Sequence, residues 1–112
     1  MAVLDRDGAL ILDDALPAAA VDALVEELGP WVDATPKGRD SFAGDRTTRT
    51  GALVARSQRI RPVVMDGRIL ALCDALLKPN CHRYQLHLAQ LIRIMPGQGA
   101  QVIHRDRWAW GR

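Results

Sequence analysis

Tyr84-Gln85-Leu86-His87-Leu88-Ala89-Gln90-Leu91-Ile92-Arg93-Ile94-Met95-Pro96-Gly97 is the stretch that decides the fold. It alternates with period two. Tyr84, Leu86, Leu88, Gln90, Ile92 and Ile94 lie on one face of an extended chain, and Gln85, His87, Ala89, Leu91, Arg93 and Met95 on the other. Gln90 is the one polar side chain after Tyr84 on the first face. Pro96-Gly97 suits the central pair of a type II turn, where Pro fixes φ and Gly supplies the positive φ that follows. The segment from Ala100 to Asp106 is therefore expected to fold back as the next antiparallel strand.

Upstream of this strand the period changes. Asp66 before an apolar face of Ile69, Leu72, Cys73 and Leu76 predicts a capped helix that Lys78-Pro79 stops. An earlier helix starts at Pro17, behind Asp13 and Asp14, and carries Val21, Leu24, Val25 and Leu28 at i, i+3, i+4 and i+7; Gly29-Pro30 is expected to end it. Ala9-Leu10-Ile11-Leu12 after Asp7-Gly8 reads as a short buried strand. Residues 34 to 48, rich in Gly, Asp, Arg, Thr and Ser, read as a long loop of the kind that often carries function, with a short strand expected over Thr50 to Val54.

Composition sets the bounds on function. The chain has 112 residues, 48% hydrophobic and 25% charged, with 15 Lys+Arg against 13 Asp+Glu. That is the size of one domain or of part of a larger one, and residues 1–112 are taken as a single domain. No apolar run approaches the ~18–20 residues of a membrane span, and the opening Met1-Ala2-Val3-Leu4-Asp5-Arg6-Asp7 lacks the layout of a signal peptide, so a cytoplasmic location and no membrane partner are expected. Cys73 and Cys81 match no zinc or redox spacing, alone or with His82 and His87. Arg39, Arg46, Arg49, Arg56, Arg59, Arg61 and Arg68 crowd the middle third, as a solvated face or as a site for a small anion. With Phe42 as the only aromatic among them, they lack the stacking platforms of a nucleic-acid binder.

The chemistry is concentrated after the Pro-Gly turn, in Gln101-Val102-Ile103-His104-Arg105-Asp106-Arg107-Trp108-Ala109-Trp110. On a strand, His104 and Asp106 share a face with Cα atoms about 6.5–7 Å apart. An imidazole nitrogen and a carboxylate oxygen at that spacing can converge on one metal ion. With a second imidazole they make the two-His, one-carboxylate set that leaves Fe(II) open positions for a chelating cosubstrate and O2. A surface His beside an acid is the competing role.

The stretch from Pro96 to Ala109, with the order of helices and strands before it, resembles the metal-binding region of the phytanoyl-CoA dioxygenase family of non-haem iron, 2-oxoglutarate-dependent oxygenases. The resemblance covers nearly the whole chain and corresponds to the N-terminal part of such an enzyme. It implies an α+β fold of N-terminal helices followed by the first strands of a double-stranded β-helix, or jelly roll, incomplete within these residues. His104 and Asp106 become the first two iron ligands, with Fe(II), 2-oxoglutarate and O2 as cofactor and cosubstrates and a small organic or acyl molecule as substrate. A carboxylate at position 106, where related halogenases have a small residue, implies hydroxylation rather than halogenation. The family's distal His and its 2-oxoglutarate-binding Arg lie beyond the His-x-Asp strand, so the 112 residues alone are expected to be inactive. Neither His82 nor His87 replaces the distal ligand, since both precede the metal strand.

Five further residues have candidate roles. Trp108 and Trp110 continue the face of His104 and Asp106 as substrate walls, with core packing as the alternative. Gln90, Gln101 and Arg49 are candidates to bind the cosubstrate, against an internally satisfied amide for Gln90 and a solvated strand-edge cation for Arg49. Unpaired sheet edges favour self-association. The rival function is a noncatalytic module that binds an anion or partner through the Arg-rich middle third.

Overall fold

Pro96 and Gly97 form the turn that their chemistry requires in the computed structural model, which describes residues 2–105. Gly97 has φ +81°, and the Gln98 N–H donates to the Met95 carbonyl at 3.2 Å, closing the turn. Among the described residues the element order is α1 (Ala2–Asp7), α2 (Ala18–Asp33), β1 (Thr47–Thr50), α3 (Leu53–Arg56), α4 (Ile60–Val64), α5 (Gly67–Leu77) and β2 (Leu91–Ile94). β1 and β2 make a two-stranded antiparallel sheet, with Thr47 opposite Ile94, Thr48 opposite Arg93, Arg49 opposite Ile92 and Thr50 opposite Leu91. The described chain is thus mixed helix and antiparallel sheet, an α+β arrangement.

The expected hairpin is corrected by this pairing. β2 is shorter than its alternation suggests, and its partner is β1 rather than the segment after the turn. Gln98 gives the physical reason. Its side-chain Oε1 accepts the Arg46 N–H at 2.7 Å and the Thr47 hydroxyl at 3.2 Å, while Met95 N–H donates to the Arg46 carbonyl at 3.0 Å. The turn is fastened to the start of β1, so the chain leaving it runs toward residues 42–44 and not back along β2. The strand expected over Thr50 to Val54 is likewise displaced: the strand ends at Thr50, and Leu53–Arg56 is helical.

α2 runs through Gly29-Pro30 to Asp33 instead of stopping there. Pro30 deletes the N–H that would bond to the Glu26 carbonyl, a fault that costs about 3 kcal/mol in a helix interior. Packing outweighs it. Leu28 and Val32, 4% and 6% exposed, lie two residues on either side of Pro30 and bury against Leu53, with Leu24, Ile60, Ala89 and Leu91 around them. Each buried side chain of this kind contributes about 1.5–3 kcal/mol. The apolar stripe is therefore Leu24, Leu28 and Val32, and Val21 and Val25 face solvent.

The other helices are fixed from their ends. Asp66 caps α5 as expected, its carboxylate accepting the Arg68 N–H at 2.8 Å. Glu27 on α2 organises the entry to α4: it accepts the Ser57 hydroxyl at 2.6 Å and the Gln58 N–H at 3.0 Å, and these bonds lower its pKa. Gly8, with φ +70°, closes α1 through its N–H to the Leu4 carbonyl at 2.9 Å. The strand expected over Ala9–Leu12 is absent, and Ile11 is 84% exposed. A buried strand needs a ladder partner and a covering layer, and β1 and β2 take each other. The radius of gyration, 16.3 Å, exceeds the roughly 13 Å of a compact domain of this length, in keeping with so small a core. Among the described residues no helix is long and apolar enough to cross a membrane.

Candidate functional site

β1 is polar in sequence yet buried. Thr47, Thr48 and Thr50 are 3%, 3% and 0% exposed, and the strand tolerates this because most of its hydroxyls are paired. The Thr35 hydroxyl donates to the Trp31 carbonyl at 2.7 Å, so the 2.8 Å contact between Thr35 and Thr50 is donated by Thr50. Thr47 is held by Gln98. Thr48 Oγ1 is buried with no hydrogen-bond partner among the described residues.

On the Gln98 side of β1 lies a cavity of about 280 Å³, lined by Phe42, Ala43, Gly44, Thr47, Arg49, Ile92, Ile94 and residues 98–101. Two of the sequence candidates meet here. Arg49, half-buried on β1, donates from its guanidinium to the Ala43 carbonyl, and Gln101 donates from its amide to the Phe42 carbonyl at 2.6 Å. Gly44 closes the wall at φ +84°, where a Cβ would come within 2.5 Å of the Thr47 hydroxyl and 2.9 Å of Gln98 Oε1. Only glycine fits there. Gln90 is half-buried just before β2 and is not among the residues lining this cavity.

His104 stands beside the same wall. Its ring centroid is 5.1 Å from that of Phe42, with the planes tilted by 59°, and its Nδ1 is 2.7 Å from the Val102 carbonyl. A carbonyl only accepts, so Nδ1 is the donor in this contact. That is the arrangement of an imidazole ligand whose second nitrogen is oriented by a backbone carbonyl, so His104 fits a nitrogen donor to a divalent metal. Among the described residues no three His, Cys, Asp or Glu side chains gather as a metal site. Asp106, Trp108 and Trp110 lie outside the described residues.

The Arg-rich middle third is largely engaged within the fold. Arg46 donates to the Pro96 carbonyl, Arg56 lies over the Trp31 ring, Arg61 donates to the Val54 carbonyl and Arg68 bonds Asp66 and the Ala15 carbonyl. Sequence reasoning passed over Phe42 and Gln98 as site residues. The available signals were local: Phe42 is the one aromatic of the long loop, and Gln98 directly follows the turn.

The family model for phytanoyl-CoA dioxygenase matches residues 4–112. Among curated proteins, the chain is 33% identical over 114 residues to Dioxygenase ALT11 of Alternaria alternata, covering 91% of this chain and 38% of that protein. It is 28% identical over 112 residues to Dioxygenase cdmA of Talaromyces verruculosus, covering 93% and 38%, and 30% identical over 114 residues to Dioxygenase FUM3 of Gibberella moniliformis, covering 91% and 38%. The chain thus spans a little over a third of the length of these relatives. No solved structure gives a significant match.

Proposed function

The chain belongs to the phytanoyl-CoA dioxygenase family, and on that premise we propose that it is the iron-binding N-terminal part of an Fe(II)/2-oxoglutarate-dependent dioxygenase that hydroxylates a small organic substrate. The observation that carries this reading is His104, whose Nδ1 is tied to the Val102 carbonyl and whose ring packs on Phe42 at the edge of the Arg49/Gln101 cavity.

His104 and Asp106 would hold the iron, through Nε2 and a carboxylate oxygen. Bound Fe(II), with 2-oxoglutarate and O2, supplies the oxidising chemistry of such enzymes. The residues of this chain position and shield. The Val102 carbonyl fixes the tautomer of His104, Phe42 limits the swing of its ring, and Gln101 and Arg49 brace the carbonyls of Phe42 and Ala43 so that the wall keeps its shape. Arg49 also places a permanent cation beside the cavity, where a carboxylate of the cosubstrate would be attracted.

Calorimetric titration with Mn(II) as an inert surrogate tests the proposal. Binding by the wild-type chain that is lost in both His104→Ala and Asp106→Ala is the expected result. Equal Mn(II) binding by wild type and the double variant would sink it.

A further inference from the structure

A second and larger cavity, of about 570 Å³, lies on the other side of Arg49. Trp31, Thr35, Lys37, Thr47, Arg49 and Arg56 provide its functional groups, and among the described residues no carboxylate lines it. Ion pairs elsewhere join Arg6 to Asp7, Arg68 to Asp66, Lys78 to Asp74 and Arg93 to Asp33. Lys37, Arg49 and Arg56 have no such partner among the described residues. Three like charges in one concave site raise each other's electrostatic free energy, most of all where solvent access is reduced.

Two of the cations are also held in place. The Arg56 guanidinium carbon lies 4.6 Å from the centroid of the Trp31 ring, and Arg49 is braced on the Ala43 carbonyl. The Lys37 backbone is fixed by its bridge to Thr48, next to the Gly38 N–H that donates to the Thr47 carbonyl at 2.9 Å. A cavity of this volume is large enough for a small ligand. Its chemistry selects an anion on an apolar body, the charge facing the cations and the body lying against the indole.

We infer that this cavity is an anion subsite that takes a carboxylate or phosphate borne on an apolar or aromatic molecule. Ala43, Thr47 and Arg49 wall both this cavity and the one beside His104. A molecule reaching across that shared wall would present its far end to Lys37 and Arg56. That the anion belongs to the substrate rests on the oxygenase reading, while the binding of the anion does not.

The test titrates the metal-free chain with benzoate, phenyl phosphate and the uncharged benzyl alcohol. At least one acid should bind saturably, weakening with added salt, and the alcohol should bind far more weakly; the tighter acid distinguishes carboxylate from phosphate. Lys37→Gln and Arg56→Gln should each lower affinity about tenfold or more, and Lys37→Arg should retain most of it. Lys37 is exposed, so its variant reports even where Arg56→Gln disturbs folding. Equal binding of alcohol and acids, no binding of either acid, or affinities unchanged in Lys37→Gln would overturn the subsite. Mn(II) titration of the same variants separates the two readings: benzoate binding retained in His104→Ala, which loses Mn(II), supports the subsite independently of the metal.

Discussion

The ring of His104 lies 5.1 Å from that of Phe42, a residue 62 positions earlier, and so the long loop before β1 supports the one candidate metal ligand that the structure describes. An aromatic pair of this kind contributes about 0.5–1.5 kcal/mol beyond its buried area. Phe42→Ala should therefore weaken Mn(II) binding roughly 2- to 10-fold while leaving the far-ultraviolet circular dichroism unchanged. An unaltered Mn(II) affinity would show that the loop does not orient the ligand.

Two neighbouring threonines should respond in opposite ways to the same isosteric change. Thr50 donates to Thr35 and is fully buried, so Thr50→Val should cost about 1 kcal/mol in urea unfolding. Thr48 Oγ1 is buried without a partner, and Thr48→Val should be neutral or stabilising by about 1 kcal/mol. Equal destabilisation by both would mean that Thr48 is satisfied by a group outside the described residues.

Pro30 offers a gain of stability. Pro30→Ala restores the N–H donor that α2 lacks at the Glu26 carbonyl and should raise stability by as much as ~3 kcal/mol. Leu28→Ala, two residues earlier, should lower it by about 2–5 kcal/mol. A destabilised Pro30→Ala in thermal melts would show that the ring itself is packed.

Asp66 gives a pH dependence with a definite sign. Its hydrogen bond with the Arg68 side chain, helped by the Arg68 N–H, lowers its pKa to about 2. The unfolded value is near 3.9. The stabilising effect is fully present above the unfolded pKa and is lost as pH falls from about 4 through about 2. Asp66→Asn keeps a capping oxygen and removes the charge. The variant should be less stable than wild type at pH 6, and the gap should close by about pH 2; a gap constant across that range in urea melts would exclude the linkage. Solvent screens this pair, so the effect should also shrink with added salt.

Some of this protein is legible from short stretches of sequence. The Asp66 cap, the end of α5 near Lys78-Pro79 and the Pro96-Gly97 turn are decided by residues within about four positions of one another, and local dihedral and hydrogen-bond chemistry suffices to read them. The spacing of His104 and Asp106, and with it the family, is legible for the same reason.

What the tertiary structure alone decided are choices between distant partners. β2 could pair with the chain after the turn or with Thr47–Thr50, and the hydrogen bonds that Gln98 accepts from Arg46 and Thr47 select the second. Thr47 and Thr48 read as the end of a polar loop, with strand only from Thr50; the cost of burying threonine hydroxyls falls once Thr35 and Gln98 are brought to Thr50 and Thr47. Pro30 reads as a helix stop until the burial of Leu28 and Val32 is weighed against it. Likewise, composition shows that the middle third is basic, but only the fold gathers Lys37, Arg49 and Arg56 around one cavity beside Trp31, because electrostatics acts through distance in space and not along the chain.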